Sequence, residues 1–135
     1  MPVIDAKAIP QVAMDFMNDD HEEAVTLLNQ LFSALDGGEK TAITQCLEAF
    51  FQHNQEHFAR EEEEMVRISF PPYSCHKGEH DRVLAELREI ITQWSTEADR
   101  EKLMVYLTET VVPWFTNHIQ TMDTVTAMFI SRQPA

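Results

Sequence analysis

The chain has 135 residues, of which 44% are hydrophobic and 24% charged, a composition typical of one globular domain with its own core. Acidic residues outnumber basic ones by 23 to 10, which gives a formal net charge of −13 without any basic cluster. Nucleic acids and anionic membranes are therefore excluded as expected partners, because both are bound through Lys and Arg. No apolar run approaches the roughly 18 residues that a membrane span needs, so membrane insertion is not expected.

The expected compartment is the cytoplasm. Cys46 and Cys75 form no C-x-x-C arrangement, and free thiols are the simplest interpretation of both. The N-terminal stretch lacks a basic segment followed by an apolar block, so no secretory leader is predicted. We expect a monomer, and the role of Cys75 is left open.

Two parts are predicted along the chain, an N-terminal arm over 1–17 and a four-helix bundle domain over 18–131. The arm is interrupted by Pro2 and Pro10, and its apolar residues follow no sustained helical period. It is therefore expected to lie against the bundle as irregular structure or a short turn.

The first helix is predicted to begin near Asn18 and Asp19, because Asp19 followed three residues later by Glu22 is typical of a capping box. The pair of glycines after Asp36 predicts its end. His21 lies at the top of the apolar face of this helix. A single histidine on such a face is more often packed in a core than bound to a metal, so partners are needed to support a ligand role.

The second helix is predicted over 39–68 and carries His57 and Glu61 four residues apart, on one face. Glu61 interrupts an inward apolar row, and a carboxylate buried there is expected to be paired or bound to a metal. The next three glutamates rotate mainly outward and are interpreted as a solvated acidic face. His53 falls roughly 80° from the bearing of Glu61, so it is interpreted as a surface or supporting residue rather than a ligand.

The third helix is predicted to follow Pro71, Pro72 and Tyr73, with Ser74 as its N-cap. Its inner face carries His76 and His80, again four residues apart. Gly78 lies between them, either as a tolerated residue or because a small residue allows another helix to approach closely. The sequence leaves both explanations open.

The fourth helix is predicted over 98–131 with a break or bend at Pro113, which has no N–H to donate. His118 and Asp123 are five residues apart, roughly 140° around an α-helix. That spacing is poor for chelating one ion, and it is acceptable if the carboxylate reaches sideways to a second ion.

Seven inward-facing residues on the four helices are therefore candidate metal ligands. Short connections make successive helices antiparallel neighbours, which predicts an all-α, up-down-up-down four-helix bundle. In that arrangement the seven side chains fall at one end of the bundle. They are His21, His57, Glu61, His76, His80, His118 and Asp123.

The pattern H … H-x-x-x-E … H-x-x-x-H … H-x-x-x-x-D, with HF-x-x-EE and W-x-x-x-HI-x-x-x-D around its parts, resembles the hemerythrins. It is similar in particular to their single-domain bacterial members, the bacteriohemerythrins, over residues 18–130. The resemblance implies a non-haem di-iron centre with an oxo or hydroxo bridge. One iron would be held by three histidines, the other by two, and both carboxylates would bridge. The implied sets are His76, His80 and His118 for one iron, His21 and His57 for the other, and Glu61 and Asp123 between them.

The resemblance also implies an apolar pocket for O2 beside the iron that has two histidines. Ala24 is small where a larger aliphatic residue is common in the family, and Phe115 is bulky where leucine is common. The arm lacks the tryptophan-bearing segment of many bacterial members. The matching pocket positions are Ala24, Phe58, Trp114, Phe115 and Ile119.

The function implied is reversible O2 binding for storage, buffering or delivery, without enzymatic turnover. Imidazole and carboxylate suit iron, although Mn or Zn could occupy the same ligands. Five imidazoles against two carboxylates should stabilise high-valent iron less well than carboxylate-rich di-iron sites do, which favours carriage over oxygenation. The alternatives are an O2, NO or redox sensor that acts through a partner protein, an NO- or peroxide-detoxifying or iron-donating protein, and a bundle without metal.

Overall fold

The computed structural model describes residues 9–133, and helices account for nearly all of them. The first three are α1 (Asp15–Gly37), α2 (Lys40–Arg67) and α3 (Tyr73–Glu97). A fourth helical run covers 100–131 in successive segments. These are α4 (Arg100–Tyr106), a π-helical turn (Leu107–Val111), α5 (Val112–His118), a second π-helical turn (Ile119–Asp123) and α6 (Thr124–Ser131).

The predicted end of α1 agrees with the structure, whereas its predicted start does not. The helix begins at Asp15, several residues earlier than expected, and Met14 is its N-cap without any side-chain cap. Asp19 therefore lies exposed inside the helix, and the capping-box prediction was wrong. The glycine stop is confirmed, since Gly38 adopts φ 75° and its N–H donates to Ala34 O at 3.0 Å. A side chain at Gly38 would also meet the Arg100 guanidinium at 2.7 Å.

The start of α2 is confirmed and the cap of α3 is corrected. Glu39 is the N-cap of α2, and its carboxylate accepts from the N–H groups of Thr41 and Ala42. Helix α3 begins at Tyr73 with Pro72 in the N-cap position, so Ser74 lies inside the helix. A proline there pre-sets the helical φ and needs no hydrogen bond of its own, which allows the helix to start two residues sooner than predicted.

Of the break or bend predicted at Pro113, the break does not occur, because the chain stays helical through this residue. The π-helical turn Leu107–Val111 directly precedes it, and the N–H of Val112 donates to Leu107 O, five residues back. Widening the turn accommodates a residue that has no N–H and whose ring would crowd the carbonyl one turn earlier.

Two hydrogen bonds far from the candidate ligands show the antiparallel arrangement. Arg100, at the start of α4, donates to Leu35 O near the end of α1 at 2.7 Å. Trp94, late in α3, donates from Nε1 to Thr44 Oγ1 early in α2 at 3.0 Å. Successive helices therefore run in opposite directions, and the predicted up-down-up-down four-helix bundle is confirmed.

The end of the bundle opposite the candidate ligands, which we call the distal half, is filled by apolar side chains. Its buried residues interdigitate between all four helices and include Leu31, Phe32, Leu35, Ile43, Leu47, Ile91, Trp94 and Leu103. The other end, the site half, holds the buried polar groups.

The predicted arm is described only from residue 9, and its first eight residues lie outside the described part of the chain. Residues 9–14 form no helix, and Ile9 is buried against the core. Asn18 holds this segment against the start of α1, because its side chain accepts a hydrogen bond from Val12 N–H at 2.8 Å and donates one to Val12 O at 2.9 Å. Within 9–133, no helix has the length and apolar character to cross a bilayer. Cys46 and Cys75 are free thiols.

Candidate metal centre

All seven predicted ligands meet in the site half, and all seven are buried. They form two overlapping groups whose potential ligand atoms lie within 4.8 Å of one another. Glu61 and Asp123 belong to both groups, which we call the three-histidine set and the two-histidine set. The three-histidine set is Glu61, His76, His80, His118 and Asp123, and the two-histidine set is His21, His57, Glu61 and Asp123.

In the three-histidine set the imidazoles converge through Nε2. The Nε2 atoms of His76 and His80 lie 3.1 and 3.2 Å from that of His118. Asp123 Oδ1 lies 3.0 Å from His76 Nε2 and 3.1 Å from His118 Nε2. Glu61 Oε1 completes the group, 3.5 Å from His76 Nε2 and 3.4 Å from His80 Nε2.

In the two-histidine set the same carboxylates present their other oxygens. Glu61 Oε2 lies 2.7 Å from His57 Nε2 and 4.0 Å from His21 Nε2. Asp123 Oδ2 lies 3.0 Å from His21 Nε2. Each carboxylate therefore directs one oxygen to each set, which is the geometry of a bridge between two ions.

These spacings fit cations. Ligand atoms about 2.1 Å from one ion lie about 3.0 Å apart when they meet at a right angle. Both oxygens of Glu61 and Nε2 of His57 are buried, and apart from the short approach of Oε2 to Nε2, which lacks good hydrogen-bond geometry, they form no hydrogen bond with the described residues. Leaving a carboxylate in that condition costs several kcal/mol unless an ion satisfies it, on the order given by transfer energies. The donor set therefore fits a pair of metal ions.

The π-helical turn Ile119–Asp123 corrects the angular prediction for His118 and Asp123. In this turn hydrogen bonds join residues five apart, so the two side chains lie on the same face instead of 140° apart. His118 Nε2 consequently approaches Asp123 Oδ1 to 3.1 Å, and both residues join one ligand set. Single π-turns inside α-helices are frequent at functional sites.

The two bridging carboxylates have opposite protonation tendencies. Burial acts to raise the pKa of Asp123, but hydrogen bonds from His118, His21 and His76 outweigh it and hold that pKa well below its usual range. Burial and then the negative charge of Asp123 raise the pKa of Glu61. The two carboxylates therefore repel each other when both are ionised, and a cation between them would relieve the repulsion.

The histidines of the two sets also differ. Burial, together with charge on His76 and His118, lowers the pKa of His80 to about 2, so this imidazole stays neutral and can bind a metal without losing a proton. Burial acts to lower the pKa of His57, but Glu61 and the hydrogen bond to Asp20 raise it to about 10. A metal at the two-histidine set has to displace this proton.

Sequence reasoning missed the residues that orient the imidazoles. Nδ1 of His57 donates to Asp20 Oδ2 at 2.9 Å, and Nδ1 of His80 donates to Glu62 Oε2 at 3.0 Å. Nδ1 of His76 lies 2.8 Å from the hydroxyl of a buried threonine, Thr126. The outward, solvated interpretation of Glu62 was therefore wrong for this one glutamate, because Lys77 and His80 draw it inward.

The structure shows where His53 lies and tests one explanation for the glycine at position 78. His53 is buried rather than on the surface, where its ring lies parallel to that of His57 at 6.2 Å. It belongs to neither of the two ligand sets, which agrees with a supporting role. Nothing lies within 4 Å of the position of a Cβ at Gly78, so close helix approach does not explain this glycine.

The predicted pocket residues lie around the imidazoles. Phe58 stacks on His80 with ring centroids 3.9 Å apart, and Trp114 stacks on His118 at 4.5 Å. Phe115 meets His21 edge-on at 6.0 Å. Ala24 and Ile119 are buried apolar residues in the same half of the bundle. Their role as an O2 pocket stays a prediction.

Comparison with known proteins identifies the family. The family described as "Hemerythrin HHE cation binding domain" matches residues 12–130. A bacteriohemerythrin of Aquifex aeolicus is 33% identical over 119 residues, 88% of this chain and 91% of that protein. A bacteriohemerythrin of Ralstonia nicotianae is 31% identical over 134 residues, 98% and 93% of the two chains.

Solved structures show the same fold. Crystal structures of hemerythrin mutants in which one leucine is replaced by tyrosine or alanine superpose with a TM-score of 0.84 at 22% identity, over 97% of this chain and 99% of theirs. Because the family match and the relatives span almost the whole described chain, the protein belongs to the hemerythrin HHE cation-binding domain family.

Proposed function

We propose that the protein is a non-haem di-iron protein that binds O2 reversibly, for storage, buffering or delivery, and without enzymatic turnover. The observation that supports this most strongly is the pair of buried ligand sets that share both carboxylates. The names of the relatives support it as well, since both are bacteriohemerythrins. The free thiols of Cys46 and Cys75 support a reducing compartment, the cytoplasm.

Iron is the metal that we propose for both sets. Imidazole and carboxylate donors suit iron, and five imidazoles against two carboxylates make a donor set poorer in negative charge than that of carboxylate-rich di-iron sites. When bound, the two ions would supply redox-active electrons and a coordination position at which O2 can bind.

The two sets offer different numbers of donors, which determines where O2 would enter. The three-histidine set presents five ligand atoms and the two-histidine set presents four. The residues of the two-histidine set would therefore give the ion that they hold one protein ligand fewer than the residues of the three-histidine set would give theirs. The open position would therefore lie beside His21 and His57.

The side chains around that position are apolar and restrict water. Phe115 lies edge-on to His21, and Phe58 lies 5.7 Å from the ring of His57. A small apolar ligand gains by entering such surroundings, whereas the escape of a charged product is disfavoured because it would be poorly solvated there. This environment supports reversible binding rather than net oxidation.

The proposal is tested by cycling O2 over the reduced, iron-loaded protein. Protein reduced anaerobically should gain a visible absorption band when O2 is admitted and lose it when O2 is removed under argon, over several cycles. Conversion to an oxidised spectrum at the first exposure, with no recovery under argon, would show that the protein does not carry O2. The Glu61→Met variant is the control, and it should show no such band.

A further inference from the structure

Asp20 is held by three side chains that lie on one face of α2. His53, His57 and Arg60 follow one another at steps of four and three residues, so they project toward α1 together. Asp20 itself is buried at the edge of the metal cluster, with 8% of its surface exposed. We call this group the Asp20 clamp.

The contacts of the Asp20 clamp reach both the carboxylate and the backbone of the residue. Arg60 forms two hydrogen bonds with the carboxylate, at 3.0 Å from Nε to Oδ2 and 2.7 Å from Nη2 to Oδ1. Nε2 of His53 donates to the backbone carbonyl of Asp20 at 2.9 Å. His57 donates from Nδ1 to Oδ2 at 2.9 Å. Both the backbone and the side chain of Asp20 are therefore oriented.

The carboxylate determines which nitrogen of His57 is free for a metal. An ionised carboxylate can only accept, so Nδ1 of His57 must carry the proton that it donates. Nε2, which lies 2.7 Å from Glu61 Oε2, is then the nitrogen that can bind a metal once its own proton has been displaced. A carboxylate bonded to the far nitrogen also raises the basicity of a metal-binding imidazole.

Asp20 also precedes His21, the other imidazole of the two-histidine set. The hydrogen bond from His53 fixes the backbone carbonyl that joins these two residues. One residue on α1 therefore connects to both histidines, to His57 through its carboxylate and to His21 through the chain. At the three-histidine set, the comparable carboxylate is Glu62, which accepts from His80 and is paired with Lys77.

We propose that Asp20, held by Arg60 and His53, is the positioning residue for the two-histidine iron, and that it sets the retention and reduction potential of that iron alone. This inference rests on the proposed di-iron function. Glu62 has the corresponding role for the three-histidine iron, so each ion has its own charged support.

The main test compares Asp20→Asn with Glu62→Gln in the iron-loaded protein. Outer partners of metal-binding histidines typically change metal affinity about 10- to 100-fold, so Asp20→Asn should release one of its two irons about 10- to 100-fold faster to a chelator. Its midpoint potential should become more positive, because a negative charge near the ion has been removed. Far-UV circular dichroism should match that of the wild type.

The retained iron shows which set was weakened. After release of the labile ion, X-ray absorption fine structure should count three imidazoles on the remaining iron of Asp20→Asn and two on that of Glu62→Gln. Equal, slow release of both irons from Asp20→Asn with an unchanged potential would overturn the inference. Loss of both irons at one common rate would overturn it too.

Arg60→Gln is the second variant, because the Arg60 side chain is 45% exposed and its replacement leaves the core packed. Exposed ion pairs contribute up to about 1 kcal/mol, so the release of the same iron should accelerate about two- to five-fold. An unchanged release rate here would contradict the clamp. A wild-type chain that never binds two irons would instead refute the proposed function, and the two failures are thus distinguishable.

Discussion

The distal half and the site half of the bundle are built from the same four helices but are satisfied in different ways. In the distal half, Leu35, Leu47 and Trp94 fill the space between helices, and burying apolar surface there is favourable by itself. In the site half, seven ionisable residues occupy the equivalent interior positions. Four of their buried atoms, on His21, His57 and Glu61, form no hydrogen bond with the described residues.

This difference between the two halves indicates that one end of the bundle stabilises the fold and the other end binds the metal. The distal half can hold the helices together before any ion arrives, since it needs none. The site half holds buried metal-ligand atoms close to one another, and some of them form no hydrogen bond. This arrangement is unfavourable without an ion and favourable with one. Substitutions at the two ends should therefore have opposite effects on stability and metal content.

The largest expected effect is in the distal half. Phe32 is 1% exposed, and Phe32→Ala should lower the free energy of unfolding by about 3–5 kcal/mol, because it leaves a cavity between helices. The iron content of the folded variant should not change. Urea unfolding and metal analysis measure the two quantities.

The control is Val105→Ala, since Val105 is 46% exposed and its truncation should change stability by less than about 0.5 kcal/mol. Loss of iron from folded Phe32→Ala protein would show that the two halves are not independent.

In the site half, removing buried side-chain groups should not lower the stability of the metal-free protein. His57→Leu/Glu61→Met removes both members of a buried pair whose Nε2 and Oε2 atoms lie 2.7 Å apart, and exchanging such a pair for apolar residues of similar size is often neutral or stabilising by about 1–4 kcal/mol. The metal-free variant should therefore be at least as stable as the metal-free wild type. With iron present the order should invert, because only the wild type retains both ions.

Thermal unfolding with and without iron measures this inversion. A metal-free His57→Leu/Glu61→Met protein clearly less stable than the metal-free wild type would mean that this pair supports the fold rather than the metal.

The stability of the metal-free protein should also depend on pH. The pKa of His57 rises from its ordinary 6.5 to about 10 in the folded state, so the folded state binds this proton more tightly than the unfolded state. The resulting stabilisation is complete below about pH 6.5 and is lost as pH rises toward 10.

Urea unfolding of metal-free protein between pH 6.5 and 10 follows this loss, and His57→Gln should remove its contribution. If the wild type and His57→Gln lost the same stability over that range, the proton would be bound elsewhere.

Much of the architecture follows from the sequence, because one physical period produces it. Apolar residues at steps of three and four locate the helices, and the same period aligns His57 with Glu61 and His76 with His80. The glycine stop at Gly38 was predictable too, since a left-handed residue ends α1.

The sequence did not predict the π-helical turn that brings His118 and Asp123 together. Spacing arguments assume 3.6 residues per turn, and the turn Ile119–Asp123 has hydrogen bonds between residues five apart. The local residue types do not distinguish the two geometries. Here the demands of the site and of packing determine the backbone.

The supporting carboxylates were also beyond sequence reasoning. Asp20 directly precedes His21, and Glu62 lies inside a run of four glutamates, so neither stands out by spacing. What selects them is the orientation of the imidazole rings, which depends on the register of α1 against α2 and of α2 against α3. A histidine at a ligand position predicts that some acceptor lies behind it, but not which residue.

The most direct test of the two-ion account is the iron content of the folded chain, measured together with native mass. The wild type should bind two irons per chain, and Glu61→Met, which lacks a carboxylate shared by both sets, should bind fewer. One iron in the wild type, or two irons in both proteins, would contradict the conclusion that Glu61 and Asp123 join two ions in one buried centre.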